Sequence, residues 1–249
     1  VLFRSGETLE GTPLLVLELT NKDTGGALDK PAYYYDGNIH AGELTAAEVA
    51  LHFTWYVLSN YGTDPRITRL LDTRTLYVRP KFNPDGADVA LNTLHNPRST
   101  PRPYDEDADG LLDEDPPNDL DGDRFITQML VPNATGMWKR SAEDSRAIVR
   151  RMIDEMDGEF FDVYSEGIDD DEDDRFNEDD VGGIDMNRNF PRNWEPQHLQ
   201  PGAGDFPLSE PETYAAVRFI HDHPNITGIV HGHTSGGFVY RLPSASAPS

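Results

Sequence analysis

The chain has 249 residues, enough for one α/β domain with a sizeable core, and its 37% hydrophobic and 27% charged residues are those of a water-soluble globular protein. No apolar run approaches the roughly 20 residues of a membrane span, and a net charge of −24 argues against nucleic acid, whose phosphates want a basic surface. The absence of cysteine excludes disulfides and thiolate metal sites, leaving histidine and carboxylates as the strong zinc ligands.

The opening Val1-Leu2-Phe3-Arg4-Ser5 has no Met and no signal-like stretch, and reads as a mature end or an excised piece. Pro13 to Thr20 and Ala32 to Tyr35 are short apolar runs bounded by Gly, Asp and Lys, which predicts buried strands. From Glu43 to Leu58 the apolar positions recur near a 3.6 period, which predicts a helix ended by Asn60 and Gly62. Asp64-Pro65 opens a second helix through Leu71, with proline where its missing N–H costs nothing. Thr75 to Val78 is a further strand. Ser209-Glu210-Pro211-Glu212 starts a helix that runs to about His221, and Asn225 to His231 is a core strand. Strands alternating with helices predict an α/β fold whose active site gathers at the carboxyl ends of the strands.

Residues 98–180 are different. Asp, Gly and Pro dominate, with a weak strand signal only around Phe160 to Tyr164, and the segment reads as a long Asp-rich insertion within a single domain. Segments 105–123 and 166–180 hold ten acidic residues each. Asp105, Asp107, Asp109 and Asp113 repeat the spacing of Asp169, Asp171, Asp173 and Asn177, and Asp119, Asp121 and Asp123 form a shorter copy. Oxygen ligands at alternate positions of a short loop are what calcium requires, so one to three calcium ions are expected here.

His40-Ala41-Gly42-Glu43 follows the strand at 32–35 and leads into the helix from Glu43. A histidine and a glutamate three apart across such a turn can aim at one ion, and hydrolytic zinc commonly takes two histidines and a carboxylate. Downstream come Asn83-Pro84-Asp85-Gly86, then Asp185-Met186-Asn187-Arg188-Asn189, then a strand carrying His231 and His233. In these ordered motifs the chain resembles the M14 zinc carboxypeptidases, over nearly its whole length outside the acidic insertion.

The resemblance implies a central mixed β-sheet flanked by helices and one zinc ion held by His40, Glu43 and His233. His231 is the rival third ligand, since both rings face one side of the strand. The resemblance makes Asp185 the acid that orients a zinc-bound histidine, and makes Arg188 with Asn187 the clamp on a substrate's terminal carboxylate, a role suited to a guanidinium's parallel donors. The arginine that stabilises the oxyanion is read as Arg102, with Arg98 and Arg140 as competitors. Gly42 stands where some relatives carry arginine, which removes a possible substrate contact.

The family's general base is a glutamate on a strand beyond the third ligand, yet no glutamate follows Glu212. The expectation is therefore a C-terminally incomplete catalytic domain with little peptidase activity of its own, from an active zinc metallocarboxypeptidase acting on peptides with a free carboxylate. The alternative is a calcium-stabilised binding module that keeps the fold without the chemistry. A secreted, periplasmic or extracellular location is expected.

Overall fold

The computed structural model describes residues 1–103, 110–113, 115–170, 176, 181–234, 237 and 239–240. The chain forms two compact units, one of residues 1–39, 43–83 and 214–249, the other of residues 40–42 and 84–213. The expected insertion at 98–180 lies within the second.

The first unit is built on a five-stranded sheet. Its strands are β1 (Leu2–Glu7), β2 (Pro13–Leu19), β3 (Ala32–Gly37), β4 (Thr75–Arg79) and β9 (Ile226–Gly232), in the order β1-β2-β4-β3-β9. β1 and β2 pair antiparallel, as do β2 and β4, whereas β3 lies parallel to both β4 and β9. The sheet is mixed, as the resemblance implied.

Alternation along the strands sorts the core into two layers. Leu76 and Val78 point to one face, where they meet Leu19 and the helices α1 (Leu44–Asn60) and α2 (Pro65–Thr73) through Ala50, Val57 and Leu71. Tyr77 and Tyr34 point to the other, against Val16, Ala32 and Phe219 of α4 (Pro211–Asp222). The period-2 reading of these strands and the 3.6 reading of α1 rest on this two-sided burial. Asp64 caps α2 by accepting from the Arg66 N–H at 2.7 Å, with Pro65 in its first turn.

Parallel pairing brings strand ends level. Asp36 lies opposite Arg79 on one side and His231 on the other, and Gly37 opposite Gly232. The chain then leaves β3 through Asn38 at φ 63°, a left-handed conformation that asparagine tolerates better than most residues. Gly37 is required by contact: a Cβ there would lie 2.4 Å from the Ala46 carbonyl oxygen in the first turn of α1. The Asn83 N–H donates to the Asn38 carbonyl at 3.1 Å, so the first residue of the Asn-Pro-Asp-Gly motif fixes this exit turn.

The second unit holds α3 (Pro84–Asn92) and an antiparallel sheet in the order β5-β8-β6-β7, made of β5 (Gln128–Pro132), β6 (Trp138–Arg140), β7 (Ile148–Arg150) and β8 (Phe161–Ser165). Only β8 was anticipated. The others are three to five residues long and largely exposed, so no apolar alternation marks them. Among the described residues no helix is long and apolar enough to cross a membrane.

Candidate metal centre

Glu43 and His233 belong to the first unit, and His40 precedes Glu43 by three residues in the chain. The stretch 40–42 is covalently continuous with Ile39 before it and Glu43 after it, so the chain itself carries His40 beside Glu43. Glu43 is the N-cap residue of α1, and its side chain makes no capping bond. Its Oε2 lies 2.8 Å from His233 Nδ1, the first residue beyond β9. An imidazole meeting a carboxylate beyond the end of a parallel strand, with a second histidine three residues before the carboxylate, is a choice of donors that fits zinc.

The two candidate third ligands part company. His231 lies within β9, and its Nδ1 is 2.8 and 3.0 Å from the two oxygens of Asp36, which is fully buried. The bond to Asp36 raises the His231 pKa above its ordinary value. The structure brings His233, and not His231, to Glu43.

Within the second unit His40 is buried, with its Nε2 3.4 Å from Asp185 Oδ1. A carboxylate on one ring nitrogen fixes the tautomer and leaves the other nitrogen to bind a metal. Arg98 donates from Nε to Asp185 Oδ2 at 2.7 Å. Burial opposes ionisation of Asp185, yet the bonds to His40 and Arg98 outweigh it and hold the carboxyl at about 2. Gly42 donates its N–H to the Pro97 carbonyl at 2.7 Å, and a Cβ on it would come within 2.0 Å of Asn96 Oδ1. A side chain there would have to displace the Asn96 carboxamide and press on the Pro97 carbonyl, 3.3 Å away.

The same unit contains a cleft of about 710 Å³ lined by Arg98, Arg102, Asp185, Arg188, Asp205 and Glu210, among others. Asn187 and Arg188 belong to a short 3-10 turn, Met186–Arg188, that Asp185 caps by accepting from the Asn187 N–H at 2.9 Å. The three cleft arginines differ in their partners. Arg98 is bound to Asp185, and Arg102 forms an ion pair with buried Glu210. Among the described residues Arg188 contacts only a carbonyl, that of Asn187, at 3.1 Å. Arg140 lies elsewhere, on the exposed β6–β7 hairpin, donating to the Ser145 carbonyl.

Of the acidic positions, Asp105, Asp107, Asp109, Asp171, Asp173 and Asn177 lie outside the described residues. Asp119 and Asp121 converge with Glu166, a residue given no role from the sequence. Glu166 is buried and accepts from the N–H groups of Leu120, Asp121 and Thr127 and from the Thr127 hydroxyl. Asp119 accepts from the N–H groups of Gly122, Asp123 and Arg124, and Asp123 from Phe125. These carboxylates therefore organise their own loop. Asp113 and Asp169 join no such group among the described residues.

The chain belongs to the zinc carboxypeptidase family, whose model matches residues 1–247. Rat carboxypeptidase A2 is 40% identical over 95 residues, which are 38% of this chain and 22% of that protein. Human carboxypeptidase D is 32% identical over 85 residues, 34% of this chain and 6% of that protein. The matched stretches thus span less than a quarter of these relatives. Carboxypeptidase A from Helicoverpa armigera superposes over 98% of this chain and 44% of its own with a TM-score of 0.58 at 16% identity. Bovine thrombin-activatable fibrinolysis inhibitor, solved with a tick carboxypeptidase inhibitor, superposes over 99% of this chain and 58% of its own with a TM-score of 0.56 at 18% identity. Both share the fold.

Proposed function

We propose that this chain supplies the zinc centre and the carboxylate-recognition cleft of a metallocarboxypeptidase that hydrolyses the C-terminal amide bond of peptides. The observation that carries the reading is the meeting of His233 with Glu43, the residue three positions after His40. His40, Glu43 and His233 would hold the metal, which when bound supplies Lewis acidity to a peptide carbonyl and to water. Asp185 keeps His40 in one tautomer. Arg188, with Asn187 beside it, receives the substrate's terminal carboxylate and so sets which amide is presented. Arg98 is the better choice than Arg102 for the oxyanion, because it reaches Asp185 and lies 3.4 Å from His40, whereas Arg102 is taken up by Glu210.

The test is calorimetric titration of the zinc-loaded chain with an N-acyl dipeptide and with its C-terminal amide. The acid should bind about 10- to 100-fold more tightly, an advantage lost in Arg188→Ala. Equal binding of acid and amide would sink the clamp.

The second reading, calcium stabilisation of the Asp-rich insertion, is favoured by the convergence of Asp119, Asp121 and Glu166. It fits a secreted, periplasmic or extracellular location. A thermal midpoint unmoved by calcium or by chelator would remove it.

A further inference from the structure

The last residue of the Asp185–Asn189 motif has no place in the proposed chemistry, yet its carboxamide is the most heavily bonded side chain in this part of the molecule. Asn189 is fully buried. Its Nδ2 donates toward the Ala203 carbonyl at 2.8 Å, the Ser209 hydroxyl at 2.9 Å and the Phe206 carbonyl at 3.2 Å. Its Oδ1 accepts from the Thr213 hydroxyl at 2.7 Å and the Glu210 N–H at 3.2 Å. The backbone adds a sixth tie, from the Leu208 N–H to the Asn189 carbonyl at 2.8 Å.

The surrounding chain is shaped around this group. Gly202 and Gly204 have φ of 82° and 79°. A Cβ on Gly204 would lie 2.8 Å from Asn189 Nδ2 and 2.5 Å from Ser209 Oγ, and one on Gly202 would lie 2.9 Å from the Asp185 Cβ. Two glycines thus let residues 202–206 wrap both ends of the Asp185–Asn189 turn. Chemistry fixes the residue type: aspartate would set a carboxylate against two carbonyl oxygens, and alanine would delete five bonds, three of them buried.

We propose that Asn189 is a positioning residue for Arg188, locking the 3-10 turn to the start of α4 so that the guanidinium is held in the cleft. The proposal rests on the carboxylate-clamp reading above. Among the described residues no carboxylate steadies Arg188, so its direction depends on the turn that carries it and on the anchor one residue later. Loosening the anchor costs carboxylate recognition before it costs the fold.

The experiment is the same titration, acid against amide, on the zinc-loaded chain and on Asn189→Ala and Thr213→Val. Thr213 does not line the cleft, and valine keeps its shape while deleting the 2.7 Å bond. The acid preference should fall about ten-fold in Asn189→Ala and about two- to five-fold in Thr213→Val. In an Arg188→Ala background neither change should alter the ratio further. A merely structural role would lower the thermal midpoint and leave the acid-to-amide ratio intact, which overturns the proposal. If Asn189→Ala does not fold, Thr213→Val decides alone. Equal binding of acid and amide by the unaltered chain contradicts the clamp itself, an outcome distinct from a preference that survives both substitutions.

Discussion

The two units of this chain are held together by different physics. In the first, apolar side chains from both faces of a five-stranded sheet meet two helical layers, and the interior is Leu, Val, Ala and Tyr. In the second, irregular backbone is fixed by buried polar side chains. Asn189 gathers residues 203–213, Glu166 gathers 120–127, and the Thr100 hydroxyl accepts from the Ile184 N–H. Hydrophobic burial is non-directional and tolerates repacking, whereas a buried carboxamide must find every partner. The proposed cleft draws on that contrast, for Arg98 and Asp185 are oriented by hydrogen bonds rather than by side-chain volume.

The contrast can be broken first where burial dominates. Leu71→Ala, in the core of the first unit, should cost about 3 kcal/mol by denaturant unfolding, since it removes transfer energy and leaves a cavity. A loss under 1 kcal/mol would mean that the core is looser than its packing.

The second unit answers to pH instead. Burial, and then the neighbouring Glu210 and Asp85 carboxylates, push Glu212 up to about 7 against the opposing pull of Arg102. The folded state therefore holds a proton that the unfolded chain releases near 4.5, and stability falls as pH rises from there through 7. The loss is at most about 3 kcal/mol. Glu212→Gln should flatten the thermal midpoint over this window and exceed the unaltered chain above pH 7. Parallel pH profiles for the two would count against it.

A smaller effect is expected at Glu166. Glu166→Ala should strip hydrogen-exchange protection from the Leu120, Asp121 and Thr127 amides while leaving β3 and β4 protected. The Thr127 bonds lower the carboxyl's pKa, so this restraint is present at neutral pH and disappears as acid protonates it. Unchanged protection at those amides would show that the loop is held by something else. Smallest of all, Arg146→Ala removes an exposed pair with Asp144 and should leave the midpoint where it was.

The same contrast explains what could be read in advance. β2, β3, β4, α1, α2 and α4 carry apolar patterns because they bury side chains against the sheet's core, and with β9 all were anticipated within a few residues, although β9, read as a core strand, is an edge strand with Ile229 and Val230 exposed. His40, Glu43 and the Asp185–Asn189 turn were legible as ordered motifs. Glu166 and Asn189 were not, since a buried polar hub is defined by backbone groups dozens of residues away. Sequence put Arg102 ahead of Arg98, and the partner that argues for the reverse order, Glu210, lies more than a hundred residues after Arg102. Glycine-rich Gly202-Ala203-Gly204 was the one local hint of a tight wrap.

The account stands on His40, Glu43 and His233 sharing one zinc ion. Titration of metal-free chain with zinc should give one tight site per chain, lost in His233→Ala and Glu43→Ala and retained in His231→Ala. Zinc binding that survives His233→Ala and disappears with His231→Ala would contradict it.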